Sequence, residues 1–238
     1  MQWIPFITAW DDRVLLWLNS FVGRWPVFDR YVAVLLSTSE LKFGVIVAVY
    51  YWLWFRNEPP NQGQRATLAM TGLASFGALT ATRLLILMLP FRARPVARPE
   101  LHFLVPAGYD ATERVWSSFP SDHAVMAFAI STGFWLVSRR VGVWAYLHSL
   151  IIICAPRVYF GLHHPSDIIG GALLGVAVAL IATRMSLVRP IAVRILYVEQ
   201  RYRGFFYLSF FLLLQQVVVM FSNLREVVGL ALSALGRH

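Results

Sequence analysis

Two short segments hold the residues best suited to chemistry. The first is Phe119-Pro120-Ser121-Asp122-His123, placed where a long loop enters an apolar run. Pro, Ser and Asp are helix-start residues, so a helix opens here. Its first turn offers free N–H groups and a positive dipole end, which suit an anion. Ser121 adds a hydroxyl donor, the backbone at Asp122 adds an N–H, and His123 reaches whatever binds there. A plain N-cap accounts for Ser121 and Asp122 taken alone. It does not account for a histidine at the mouth of a membrane helix, where ionisable groups are costly.

The second segment runs from Arg157 to Asp167 and contains His163, His164, Pro165 and Ser166. Again Pro-Ser-Asp opens an apolar helix, now with histidines just before it. Asp167 lies four residues after His163. A carboxylate there can accept the imidazole N–H, fix the tautomer and leave the other nitrogen free to attack. Arg157 ends an apolar run, and its guanidinium suits a carboxylate or a phosphate. The bland alternative is an Arg157–Asp167 ion pair with His163 merely capping. Arg83, inside an apolar run, and Arg92, Arg94 and Arg98 beyond Pro90 add a third, basic group. Some of these four are expected to anchor lipid headgroups. Three arginines can neutralise a transferring phosphoryl group without a metal. His163, His164 and Asp167 lack a joining carboxylate cluster, so no metal and no cofactor is expected.

The elements that hold these groups are membrane helices. Apolar residues make up 58% of the 238, and charged residues only 14%. Runs near 20 residues match a bilayer core of about 30 Å. The expectation is an all-α polytopic bundle of about six or seven spans, within one domain covering 1–238. The runs lie at 26–38, 41–56, 66–89, 122–138, 142–160, 166–185 and 204–224, the last an extra C-terminal span. Val14, Trp17, Leu18 and Phe21 suggest a short amphipathic helix over 10–22, begun by Asp11 and Asp12, lying on the membrane surface or packed in the bundle. The net charge of +9 comes from arginines scattered between the runs, with Lys42 the sole lysine. That pattern orients a membrane protein and argues against nucleic acid as partner. Arg56, Arg65, Arg139, Arg140, Arg184, Arg189, Arg194, Arg201 and Arg203 fall at one set of helix ends, read as cytoplasmic. Met1 to Ala9 lacks a basic n-region, so no removable signal peptide is expected. Cys154, the single cysteine, sits in an apolar run and reads as a packed thiol. Gly171 and Gly175 allow close helix packing, more often within a chain than between chains, and the oligomeric state stays open.

These motifs resemble the type 2 phosphatidic acid phosphatase family, whose core is shared with vanadium haloperoxidases and bacterial acid phosphatases. That family's third motif matches as Arg157-x5-His163-x3-Asp167. Its second matches as Pro120-Ser121-Asp122-His123, with Asp in place of Gly. Its first, Lys-x6-Arg-Pro, keeps Arg94-Pro95, but the lysine position is Leu87. Arg83 is the nearest upstream candidate to replace it. Asp122, beside a phosphate, should point away or pair with an arginine. The resemblance covers about 66–185, the expected catalytic core. It implies that His163 attacks phosphorus, that Asp167 holds His163, and that His123 protonates the leaving oxygen. It further implies that Arg157, Arg94 and Ser121 bind phosphate oxygens.

The resulting expectation is an integral membrane hydrolase of lipid phosphates or polyprenyl diphosphates, with a membrane lipid as substrate and the bilayer as partner. Its site would face outward from a bacterial plasma membrane. A lipid phosphotransferase using the same phosphohistidine, and a non-catalytic lipid-binding or transport protein, stand as alternatives.

Overall fold

A computed structural model describes residues 5–56, 61–106, 117–185 and 188–221, and every regular element among them is helical. Helix α1 is Pro5–Asn19, and α2 is Pro26–Ser37 with a proline in its first turn. A π-helical turn, Glu40–Gly44, leads into α3, Val45–Phe55. Together α2 and Glu40–Phe55 form a pair bent by 70°. Lys42 is buried at that bend, where its ammonium donates to the Leu36 carbonyl.

Helix α4 is Gln62–Met88, capped by the Asn61 side chain, which accepts from Gln64 N at 3.1 Å. At 27 residues it is about 40 Å long, more than a bilayer core requires. It ends before Pro90, as the missing N–H of proline demands. Helix α5 is Asp122–Val137. Then α6, Arg139–His148, a π-helical turn Ser149–Cys154, and α7, Ala155–Tyr159, run on as one 21-residue unit. Helix α8 is Pro165–Arg184, α9 is Val188–Arg201 and α10 is Arg203–Val218. By length and composition α4, the α6–α7 unit and α8 can each cross a membrane, and the bent α2–α3 pair would make a fourth crossing.

Helix α5 is the axis of the bundle. Ala124–Ala127 and Ala129–Phe134 are buried around its whole circumference. A helix apolar on all sides belongs in the middle, and α4, α6 and α8 surround it. The seam with α8 is tightest. A Cβ at Gly175 would come within 2.2 Å of the Val125 carbonyl oxygen, and one at Gly171 within 2.6 Å of that of Ser121. The small residues read as packing positions therefore serve a contact within the chain.

Each of the seven apolar runs is helical, with ends shifted by a few residues; 222–224 of the last lie outside the described residues. One expectation needs correction: the N-terminal helix already runs from Pro5, not from near residue 10, so Asp11 and Asp12 lie mid-helix. Of the two placements open to that helix, the structure has the packed one, with Asp11 and Leu15 fully buried against the bundle. Helix α9 was not anticipated. Its Ala192, Leu196 and Glu199 turn inward at helical spacing while Arg189, Arg194 and Arg201 stay exposed.

Of the nine arginines assigned to one set of helix ends, eight are exposed and Arg65 is not. Arg65 pairs with Glu199 at 2.8 Å and donates to the Trp54 carbonyl at 2.9 Å. Tyr207 donates to the same Glu199 at 2.6 Å. This buried network ties α3, α4, α9 and α10 together. The two histidine segments lie at the opposite helix ends.

Candidate active site

The site is built from the N-termini of α5 and α8, joined by one backbone contact. Ser121 N donates to the Asp167 carbonyl at 3.1 Å. Gly171, one turn further along α8, leaves room for that approach. Two positive helix ends thus converge on one small volume.

Ser121 holds the N-cap position of α5, yet its hydroxyl does not cap the helix. It is fully buried, and its Oγ makes no hydrogen bond among the described residues. The same holds for the Ser118 hydroxyl. A buried hydroxyl without a partner costs about 1–3 kcal/mol.

Asp122 and Arg83, the two departures from the family pattern, satisfy each other. Arg83 Nη2 lies 2.8 Å from Asp122 Oδ2. The other oxygen, Asp122 Oδ1, accepts from His123 N at 2.9 Å and lies 2.8 Å from His123 Nδ1. With the carboxylate ionised, His123 Nδ1 carries the proton it donates, and Nε2 remains for a ligand. Arg83 is thereby tied to His123 through the Asp122 carboxylate. Its side chain is 35% exposed, and such a pair is worth at most about 1 kcal/mol, or about fivefold. Arg83→Ala is expected to slow turnover by about three- to fivefold in initial-rate assays; a hundredfold loss would put Arg83 on the substrate.

His163 lies in the short connection between α7 and α8 and is 3% exposed. Gly161 makes the connection tight: it adopts φ +64°, and a Cβ there would meet the Phe103 ring at 2.7 Å. The imidazole is held by a group that residue patterns do not reveal. His163 Nδ1 lies 2.9 Å from the Ser118 carbonyl, which can only accept, so Nδ1 is the protonated nitrogen. Asp167 Oδ2 is 3.6 Å from the same Nδ1, beyond hydrogen-bond range but close enough to act through its charge. The expectation that Asp167 fixes the tautomer is thus modified: Ser118 fixes it, and Asp167 supports it electrostatically. Burial holds the His163 imidazole below its ordinary pKa range, against the pull of Asp167 and aided by Arg94 and Arg157. The neutral form, with Nε2 free, therefore prevails at neutral pH.

His164 has a different task. It is the N-cap of α8, its N–H donates to Asp167 Oδ2 at 2.7 Å, and its ring is buried. Arg157 is buried on α7, within electrostatic reach of both His123 and His163. The Asp167 carboxylate is engaged by Arg92, at 2.5 Å. Arg94 donates to the Leu162 carbonyl at 2.8 Å and also acts on His163. All the residues singled out, His123, His163, Asp167, Arg157, Arg94, Ser121, Asp122 and Arg83, therefore belong to one constellation.

Arg92 bridges Asp167 and Asp11, and Arg98 grips Asp12 through two nitrogens at 2.6 and 3.1 Å. Arg114 lies outside the described residues. Ser118 was not singled out from the sequence, and Arg92 and Asp11 were seen there only as a basic-group arginine and a helix start. Asp11 left a further signal, as an acid inside an apolar N-terminal stretch.

Comparison with known proteins converges on one family. The PAP2 superfamily profile matches residues 66–190. The undecaprenyl-diphosphatase BcrC of Bacillus subtilis is 30% identical over 165 residues, covering 69% of this chain and 78% of that protein. A putative undecaprenyl-diphosphatase, YbjG, of Escherichia coli is 28% identical over 60% of this chain and 67% of its own. The crystal structure of a transmembrane PAP2 type phosphatidylglycerolphosphate phosphatase from Bacillus subtilis aligns with 76% of this chain and 86% of its own. Its identity is 16% and its TM-score 0.43.

Proposed function

The chain belongs to the PAP2 superfamily and is a membrane lipid phosphatase, and from that premise we propose that it hydrolyses a polyprenyl diphosphate through a phosphohistidine on His163. The observation that carries this reading is the protonation pattern of the two histidines. Each has Nδ1 committed to a fixed acceptor, Ser118 O for His163 and Asp122 for His123. Each is therefore left with Nε2 for the substrate.

In the first half-reaction His163 Nε2 attacks the terminal phosphorus, and the bond to the bridging oxygen breaks. Arg157, Arg94, the Ser121 hydroxyl and the first-turn N–H groups of α5 take up the charge on the phosphoryl oxygens. His123, protonated at Nε2, gives that proton to the departing lipid phosphate. In the second half, water attacks the phosphohistidine while neutral His123 takes its proton. Inorganic phosphate leaves, and both histidines return to their starting states.

A lipid substrate is supported by an apolar cavity of about 560 Å³ beside the site. Its wall includes Leu35, Tyr31, Ile151 and Ile168, with Pro156 and Pro165, the chain neighbours of Arg157 and His164. The eight exposed arginines at the opposite helix ends favour a site on the outer face of a bacterial plasma membrane. The names of the relatives favour a polyprenyl diphosphate over other lipid phosphates.

The test is a panel of undecaprenyl diphosphate, phosphatidic acid and phosphatidylglycerol phosphate, with purified protein in detergent and EDTA present. Free phosphate should be released fastest from undecaprenyl diphosphate. No free phosphate from any substrate, or activity only after metal is added, would overturn the reading. Phosphate appearing only on an acceptor alcohol would make the protein a transferase.

A further inference from the structure

We propose that Arg92, held by Asp11 of helix α1, is a positioning residue for the reaction: it fixes the Asp167 carboxylate against His163. This deepens the phosphatase reading and rests on it.

The geometry is a closed ring of charged and hydroxyl groups. Arg92 Nη1 lies 2.5 Å from Asp167 Oδ1 and 2.8 Å from Ser166 Oγ. Arg92 Nη2 lies 2.5 Å from Asp11 Oδ2. Asp11 in turn accepts from Ser166 N at 2.9 Å and from Ser166 Oγ at 2.6 Å. The side chain of Arg92 is 5% exposed, and those of both carboxylates are fully buried. The Arg92 backbone is fixed too, by Ser117 Oγ at 3.1 Å and Ser118 N at 2.9 Å. That second bond links Arg92 to the residue whose carbonyl holds His163.

The division of the Asp167 oxygens shows what the ring does. Oδ1 goes to Arg92, while Oδ2 takes the His164 N–H and faces His163 Nδ1. A carboxylate gripped at one oxygen cannot rotate the other away from the imidazole. Arg92 also draws off part of the charge that Asp167 would otherwise direct at His163. A planar guanidinium, with donors for two carboxylates at once, is suited to this role as lysine is not. Helix α1 lies outside the matched stretch 66–190, yet it supplies one side of the ring. It also grips the loop that carries Arg94, through Asp12 to Arg98 and Asn19 to the backbone of Leu104.

The experiment measures kcat, KM and the pH dependence of kcat/KM for undecaprenyl diphosphate, using full-length detergent-solubilised wild type, Asp11→Asn and Arg92→Gln. His163 must be neutral to attack. The charged groups facing it are Asp167 and His164 at the start of α8, Arg157 on α7, Arg94 on the loop and Asp122 on α5. Both variants should lower kcat by about tenfold or more with KM within about twofold, as the loss of an orienting partner does. The acidic limb should move in opposite directions. Arg92→Gln returns the Asp167 charge to the imidazole, so the limb shifts to higher pH. Asp11→Asn leaves the Arg92 charge shared with one carboxylate fewer, so the limb shifts to lower pH. Asp11→Asn is nearly isosteric and decides the matter if Arg92→Gln does not fold. Unchanged kcat and limb in Asp11→Asn, a lowered Tm with unchanged kcat, or limbs moving the same way would each overturn the proposal. Wild-type turnover separates the two readings: no wild-type phosphate release defeats the phosphatase itself, whereas normal wild-type release with unaltered variants defeats only the ring.

Discussion

His163→Ala is expected to abolish phosphate release from undecaprenyl diphosphate, with a loss on the order of 10⁴- to 10⁶-fold in kcat. Removal of a covalent nucleophile costs about this much because the remaining binding groups have nothing to transfer the group to. The substitution should leave KM and the elution profile in detergent close to wild type. Although His163 is buried, its ring makes one hydrogen bond among the described residues, to the Ser118 carbonyl, and caps no helix. His164→Ala is the contrasting control. It removes an N-cap from α8 and should lower Tm more than it lowers kcat per folded molecule. Rapid quenching of wild type with a diphosphate labelled at the terminal phosphorus should trap an acid-labile, alkali-stable phosphoprotein, absent from His163→Ala. Retained turnover in His163→Ala would defeat the phosphohistidine assignment.

The second large effect is expected for His123→Ala, and its size should depend on the leaving group. A lipid monophosphate must expel an alkoxide, whose conjugate acid is about as weak as water, near 16. A lipid diphosphate expels a phosphate monoester, whose second pKa is about 6. Proton donation matters far more in the first case. General acid catalysis contributes about 10²- to 10⁴-fold where it is needed. His123→Ala should therefore slow a lipid monophosphate that the wild type accepts by about 10³-fold, and a polyprenyl diphosphate by about tenfold. Equal losses on the two would remove proton donation from the role of His123. The contrast also bears on Asp122. A glycine there, as in the family pattern, would leave His123 Nδ1 without its carboxylate, so Asp122 strengthens the base that we propose carries a proton to the leaving oxygen.

The sequence made the placement of the candidate residues more legible than the groups that hold them. His123, His163 and Asp167 were readable because each stands at a helix start marked by Pro and Ser, and a helix N-terminus has a chemical use that follows from its backbone. The long helices were readable because bilayer thickness dictates the length of an apolar run. Arg83 and Asp122 were visible as departures from a pattern, but their pairing spans 39 residues and needed the fold to show it. Ser118 could not have been found, since a backbone carbonyl that orients an imidazole leaves no mark on residue type. Arg92 was seen only as one of several arginines near a membrane surface, a place where arginine has an ordinary explanation. Asp11 and Asp12 were misread because two acids in a row resemble a helix start, and only burial distinguishes a start from a mid-helix anchor. Helix α9 escaped because its arginines masked the inward spacing of Ala192, Leu196 and Glu199.

The burial of Lys42 at the α2–α3 bend has a practical consequence. The chain contains 21 basic residues of the Lys and Arg types, and this is the single lysine among them. Its ammonium is turned inward onto the Leu36 carbonyl. An amine-reactive label therefore has one side-chain target, and it is buried. The rate of labelling, followed by intact mass as detergent, lipid or temperature is varied, becomes a reporter of how often local opening exposes that amine, with no probe engineered into the protein.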